Sequence, residues 1–337
     1  MAAEIVVELD RIFRSGEEIE EIGFTMDPSL PPVVFMEGNV GIAMTSLKSL
    51  FAYALAQLYS LDRQALETKC GAAAAEHVDS ITRAVLLVKG DFPTAYIFRK
   101  LLIEQGRLRV AYEMHFMALL FTKHPKCPSG WQHRRWCLAQ RRQAPTTTGT
   151  TSTTAATAGT PLHLSASEIE SERALCTRMA EKHPKNYWAW QHRLWLLPHL
   201  SSVQLEDELH VSQQWLRSHV SDHSAANHRV QVVRCVLGNR PALEHIAVGR
   251  GCVAQTGLQK RLACQDSGLK VEEERERELG KEERWERPAM RLLLLDSLLG
   301  ESEELLLSRP GHEALWCLRR SLVELLLVEV GTVGQGL

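Results

Sequence analysis

KHPKCPSGWQHRRW, residues 123–136, returns as KHPKNYWAWQHRLW at residues 182–195, with nine of fourteen positions identical. The identities fall in two blocks, Lys-His-Pro-Lys and Trp-Gln-His-Arg. A word used twice is either a duplicated site or the unit of a repeat, and a repeat leaves weaker copies in phase. An arginine with an aromatic residue three positions before it serves as the marker. Tyr96/Arg99, Trp131/Arg134, Trp190/Arg193 and Trp316/Arg319 satisfy it, and Ala226/Arg229 in DHSAANHRVQVV lacks only the aromatic. Successive arginines lie 35, 59, 36 and 90 residues apart. The 59 contains TTTGTTSTTAATAGT at 146–160, a low-complexity stretch with no apolar face. Removing roughly 24 residues of insertion restores a period of about 35. The word is a repeat unit.

Between markers the pattern is helical. Leu108, Ala111, His115, Ala118 and Leu119 recur at steps of three and four, as do Leu205, Leu209 and Leu216. Ser165-x-x-Glu168 and Ser201-x-x-Gln204 read as capping boxes. Gly90 closes the helix carrying Ile81, Val85 and Val88, and Pro93 suits the first turn of the next. Each unit is thus a marker helix, beginning near Pro93, Pro128 or Tyr187, followed by a partner helix. No segment alternates with period two over enough residues to predict a sheet. The expected fold is all-α, an α–α superhelix: a solenoid of helical hairpins that hide their apolar faces against one another. The chain divides into an N-terminal helical region over 1–70 and repeats over 71–238 with an insert at 145–162. An irregular charged insert follows at 239–288, expected to be disordered or a solvated helix, and then a C-terminal repeat over 289–330.

Composition narrows the function classes. The chain has 337 residues, is 45% hydrophobic and 24% charged, and carries a formal charge of −2, so no global field draws it to nucleic acid or anionic lipid. Its eight cysteines form no Cys-x-x-Cys pair and suit reduced core thiols. The N-terminus, MAAEIVVELDRIF, does not read as a signal peptide, and no apolar stretch is long enough to span a bilayer. A cytoplasmic protein without direct membrane insertion is the expectation. His124, Cys127, His133 and Cys137 look metal-like in spacing, but the second copy has Asn186 and Leu196 in the cysteine slots, so no metal site is assigned. The marker residues have a packing reading: a Trp and an Arg three apart share a helix face. The Trp supplies burial, and the Arg either stacks on it or satisfies the carbonyl end of an adjacent helix. Lys185 and Lys126 occupy equivalent loop positions. The residues alone leave Lys185 open between an exposed cation and a ligand contact, and Tyr187 open between a site neighbour and a packing residue.

The word KNYWAWQHRLW at 185–195 closely resembles the repeat of protein prenyltransferase α subunits, with weaker copies at 126–136, 222–233 and 312–323. EIGF near the start and PGHEALWCLRRSL near the end resemble that family's repeat-containing branch more closely. The resemblance implies a crescent of hairpins wrapped around a separate β subunit. The pair moves a farnesyl or geranylgeranyl group from its diphosphate to a C-terminal cysteine of a client protein. It also implies that zinc resides in the β subunit, with no cofactor in this chain, and that Lys185, ahead of Asn186 and Tyr187, contacts the diphosphate. Such a cation favours the transition state, where negative charge gathers on the leaving diphosphate. The branch points to a geranylgeranyl enzyme with a Rab-type β subunit. Ser221, Asp222 and His223 depart from the family's basic and amide residues, and Ala226 replaces its aromatic. The alternative is a non-catalytic helical-repeat scaffold in membrane trafficking.

Overall fold

The computed structural model describes residues 1–68, 70–140, 164–250 and 273–334. Its helices are α1 (Ala2–Arg14), α2 (Met44–Tyr59), α3 (Arg63–Thr68), α4 (Ala72–Val88), α5 (Pro93–Glu104), α6 (Val110–Lys123), α7 (Pro128–Gln140) and α8 (Ala166–Lys182). They continue as α9 (Tyr187–Leu196), α10 (Ser202–Ser218), α11 (His223–Gly238), α12 (Arg240–Gly249), α13 (Glu273–Ser308) and α14 (Glu313–Gly334). The all-α hairpin-repeat class is as expected. Two compact units divide the chain inside α9, Met1–Ala189 and Trp190–Leu337.

Helix starts follow local chemistry. Marker helices α5, α7 and α9 open at Pro93, Pro128 and Tyr187, as the sequence predicts. Ser165 and Ser201 each form a complete capping box, with Glu168 and Gln204 returning the bond to the cap backbone. Each box satisfies two helix-end donors, and removing such a cap costs about 1 kcal/mol. Asp222 caps α11 by accepting from the amides of Ser224 and Ala225.

In the first unit, the expectation of helices alone over 1–70 is corrected. β1 (Glu21–Thr25), β2 (Val33–Met36) and β3 (Asn39–Ala43) form a sheet in the order β1-β3-β2, parallel between β1 and β3 and antiparallel between β2 and β3. The strands are four or five residues long, so each alternation is too brief to stand out from noise. Glu37 and Gly38 connect β2 to β3 with φ of 47° and 76°, the left-handed pair that a two-residue hairpin requires. Val40 and Ile42 of the central strand are fully buried. Against the outer edge of β1 lies α6, where Thr122 Oγ1 accepts from the Ile22 amide at 3.1 Å. The sheet therefore braces the α6–α7 loop.

The second unit corrects the insert boundaries. α12 occupies the first part of the segment expected to be irregular, with Ala242, Leu243, Ile246 and Ala247 fully buried. Four apolar positions at helical spacing suffice for burial although the flanking sequence is polar. Helical backbone resumes at Glu273 and runs through Pro288. The insert at 145–162 falls on 141–163, and that segment and 251–272 lie outside the described residues.

Candidate functional site: the marker residues and the loop before α9

Each marker arginine holds two helices together. Arg99 on α5 makes a bidentate pair with Glu113 on α6, Nε to Oε1 at 2.9 Å and Nη2 to Oε2 at 2.6 Å. Arg134 on α7 does the same with Glu172 on α8, both at 2.7 Å. In the second unit Arg193 on α9 pairs with Glu208 on α10, both at 2.9 Å, and Arg229 on α11 reaches Glu301 on α13 at 2.6 Å. The remaining nitrogen takes a backbone carbonyl 20 residues earlier: Arg99 to Asp79, Arg134 to Met114, Arg229 to Leu209 and Arg319 to Leu299. These carbonyls lie inside α4, α6, α10 and α13. The expectation that the arginine satisfies a helix end is thus corrected. A carbonyl has a second lone pair beyond its helical bond, and the buried guanidinium uses it.

Histidine completes the lattice. His133 Nε2 donates to Glu113 at 2.7 Å, and His228 Nε2 to Glu208 at 2.9 Å. Glu113 and Arg99 are fully buried. Burial alone would push the Glu113 carboxyl up, but the charge of Arg99 and the bonds from His133 and Arg99 outweigh it and hold the pKa at about 2. Glu208 is displaced downward for the same reasons, with His228 and Arg193 opposing burial. Burial lowers Arg229 to about 10 against the pull of Glu301. Without Glu113, His133 would lose its acceptor and Arg99 would keep Asp79, at 2.8 Å, as its one carboxylate partner among the described residues. The glutamates are what the sequence reading missed. A Glu 14 or 15 residues beyond the marker Arg (Glu113, Glu208) is visible in the sequence, but the insert after Gln140 displaces Glu172.

The marker aromatics repeat one bond. Tyr96 donates to the Gly90 carbonyl, Trp131 to Pro125 and Trp316 to Pro310, in each case six residues back. Trp131 also stacks on Phe121, with ring centroids 4.0 Å apart at 16°. Gly130 precedes it because a Cβ there would sit 2.8 Å from Cys127 Sγ and 2.9 Å from the Tyr96 hydroxyl. Trp190 differs: its indole donates to Asp222 at 3.1 Å, and so does Trp215 at 3.2 Å. The aspartate that departs from the family pattern is therefore a cap and a double indole acceptor. His133 and Cys127 of the metal-like spacing are likewise held by protein partners, Cys127 at the Gly90 carbonyl.

The loop before α9 presents Lys185 and Tyr187. Asn186 is fully buried, donates to the Pro125 carbonyl at 3.2 Å and accepts from the Ala189 amide at 3.4 Å. With that anchor, Lys185 adopts φ 59°, a left-handed conformation uncommon for a residue with a Cβ. Its side chain is exposed, and Tyr187 is 50% exposed beside Trp188. Lys126, in the equivalent loop, has no positive φ. It lines an open cleft of about 410 Å³ with His124 and two further lysines, Lys89 and Lys123, a grouping of cations that the sequence did not reveal. Lys123 lies 3.9 Å from the centre of the Phe24 ring on β1.

Stacked hairpins joined by buried Arg–Glu pairs define a helical-repeat protein. The sequence profile of the protein prenyltransferase alpha subunit repeat matches residues 110–141 and 169–200. The chain is 31% identical over 327 residues to the Homo sapiens "Protein prenyltransferase alpha subunit repeat-containing protein 1", covering 94% of this chain and 75% of the human one. A Xenopus laevis relative, "Protein prenyltransferase alpha subunit repeat-containing protein 1-A", is 29% identical over 96% of this chain and 72% of its own. The "Geranylgeranyl transferase type-2 subunit alpha" of Dictyostelium discoideum is 26% identical over 38% of this chain and 36% of its own. The chain belongs to the protein prenyltransferase alpha subunit repeat-containing family. No helix among the described residues is long and apolar enough to cross a membrane.

Proposed function

We propose that the chain is the non-zinc α subunit of a heterodimeric protein prenyltransferase of the geranylgeranyl type, acting in the cytoplasm with a Rab-type β subunit. The observation that carries this reading is the loop at 185–187. A buried Asn186 stands between an exposed lysine with left-handed backbone and an exposed tyrosine, two residues apart in one loop. Zinc and the lipid pocket belong to the partner in this reading. Lys185 stabilises the departing diphosphate, and Tyr187 lines the same site. The marker helices α5 and α7 offer the β subunit an exposed Ile97 and the half-buried Lys100, Arg135 and Trp136. The similarity to a Dictyostelium geranylgeranyl transferase subunit supports the geranylgeranyl choice.

Co-expression with candidate β subunits, gel filtration and transfer of labelled prenyl diphosphate to a client with a C-terminal cysteine test the reading. A stoichiometric complex that transfers the lipid is expected. In that complex Lys185→Ala slows transfer by roughly tenfold to a hundredfold while leaving assembly intact. An unchanged rate removes Lys185 from the site, and Lys126→Ala in parallel tells whether the neighbouring cleft holds the anion instead. A complex that binds without transfer favours the scaffold. Asp222 supports that second reading, since its loop is committed to capping and indole binding where the family carries basic groups.

A further inference from the structure

The last helix, α14, has two apolar faces. Ala314, Leu315, Leu318 and Leu322 are buried within the second unit, against α11 and α13. A second stripe runs through Trp316, Arg320, Val323, Leu327 and Val330, with alternating steps of four and three, the spacing of a helix–helix seam. Trp316 is 55% exposed, Leu327 64% and Val330 50%, with Val328 beside them at 62%. In the middle of the stripe stand Arg320 and the flanking Glu324, both exposed. Although four apart on one helix, they make no ion pair with each other or with any other described residue. Their order, cation before anion, is the weaker one for an intrahelical pair.

We infer that this stripe is a self-association surface on which a second copy of the chain seats its own α14, antiparallel. Charge complementarity selects this occupant. A two-fold axis level with Leu322 sets Arg320 of one copy against Glu324 of the other, and repeats the pair by symmetry. The same axis lays Trp316 over the partner's Leu327 and Val328, again twice. An isologous contact of this kind doubles every favourable pair. A parallel arrangement would set Arg320 against Arg320 and Glu324 against Glu324, at a like-charge cost. The inference is independent of any prenyl-transfer role.

Sedimentation equilibrium of the full chain over a range of concentrations tests it. A reversible monomer–dimer equilibrium is expected. Arg320→Glu and Glu324→Arg each raise the dimer dissociation constant by roughly tenfold, and the double swap R320E/E324R restores it. Leu327→Asp abolishes the dimer. All three positions are exposed, and circular dichroism confirms that each variant keeps its helix content. A chain that stays monomeric at every concentration overturns the inference. So does a dimer indifferent to Leu327→Asp, or a double swap no tighter than the single reversals.

Discussion

Trp131 and Trp316 occupy the same slot of the same repeat, and each indole donates to a proline carbonyl six residues back. One is 1% exposed and the other 55%. Their arginines diverge in parallel. Arg134 is locked to a buried Glu172 at 2.7 Å, whereas Arg319 meets Glu303, 58% exposed, at only 3.7 Å. The helix sets the local bond in both places. Burial is supplied by the neighbours, so one sequence word carries a large stability contribution at one position and little at the other.

That contrast can be broken most directly at the glutamates. Glu113→Ala removes the acceptor of His133 and leaves Arg99 with Asp79 as its only carboxylate among the described residues, and a loss of about 3 kcal/mol in denaturant unfolding is expected. Glu303→Ala removes an exposed, stretched pair and should change stability by less than about 1 kcal/mol. Equal losses at the two positions would show that burial does not decide the strength of these pairs. At the aromatics, Trp131→Ala should cost about 3–5 kcal/mol, while Trp316→Ala should cost under about 1 kcal/mol in the monomer. Thermal melts of the two variants against the parent chain check this.

Acid sharpens the comparison further. Glu113 has a pKa of about 2 in the fold against an ordinary value of 4.5, because Arg99 and His133 outweigh the burial that would raise it. A carboxyl depressed in the folded state contributes fully above its unfolded value and loses that contribution as pH falls through the folded value. The melting temperature should therefore hold above pH 4.5 and decline between about 4.5 and 2 on account of this group. Glu113→Gln, less stable throughout, should show a shallower decline over the same interval.

Much of the hairpin register is legible without coordinates. Pro93, Pro128 and Tyr187 mark the helix starts, and Ser165 and Ser201 announce their caps, because capping is a bond between residues three apart. The three short strands were not legible, since four or five residues give too few alternations, and the helices they pack against include α6, a hundred positions later. α12 was hidden by the irregular composition around it. Of the candidate site, Lys185 and Tyr187 were named through the resemblance of KNYWAW to the family repeat, whereas the left-handed turn at Lys185 adjoins an Asn186 that reaches Pro125, 61 residues away.

By itself the sequence determined the repeat, its period and the residues that mark it, because local helix chemistry recurs wherever the same word recurs. Only the tertiary structure decided what the markers do. It showed that Arg99, Arg134 and Arg193 bind glutamates on the next helix, that Asp222 serves two tryptophans, and which copies of the word are buried. Those outcomes depend on partners brought together from tens of residues apart, and the strength of each pair follows from how completely water is excluded around it.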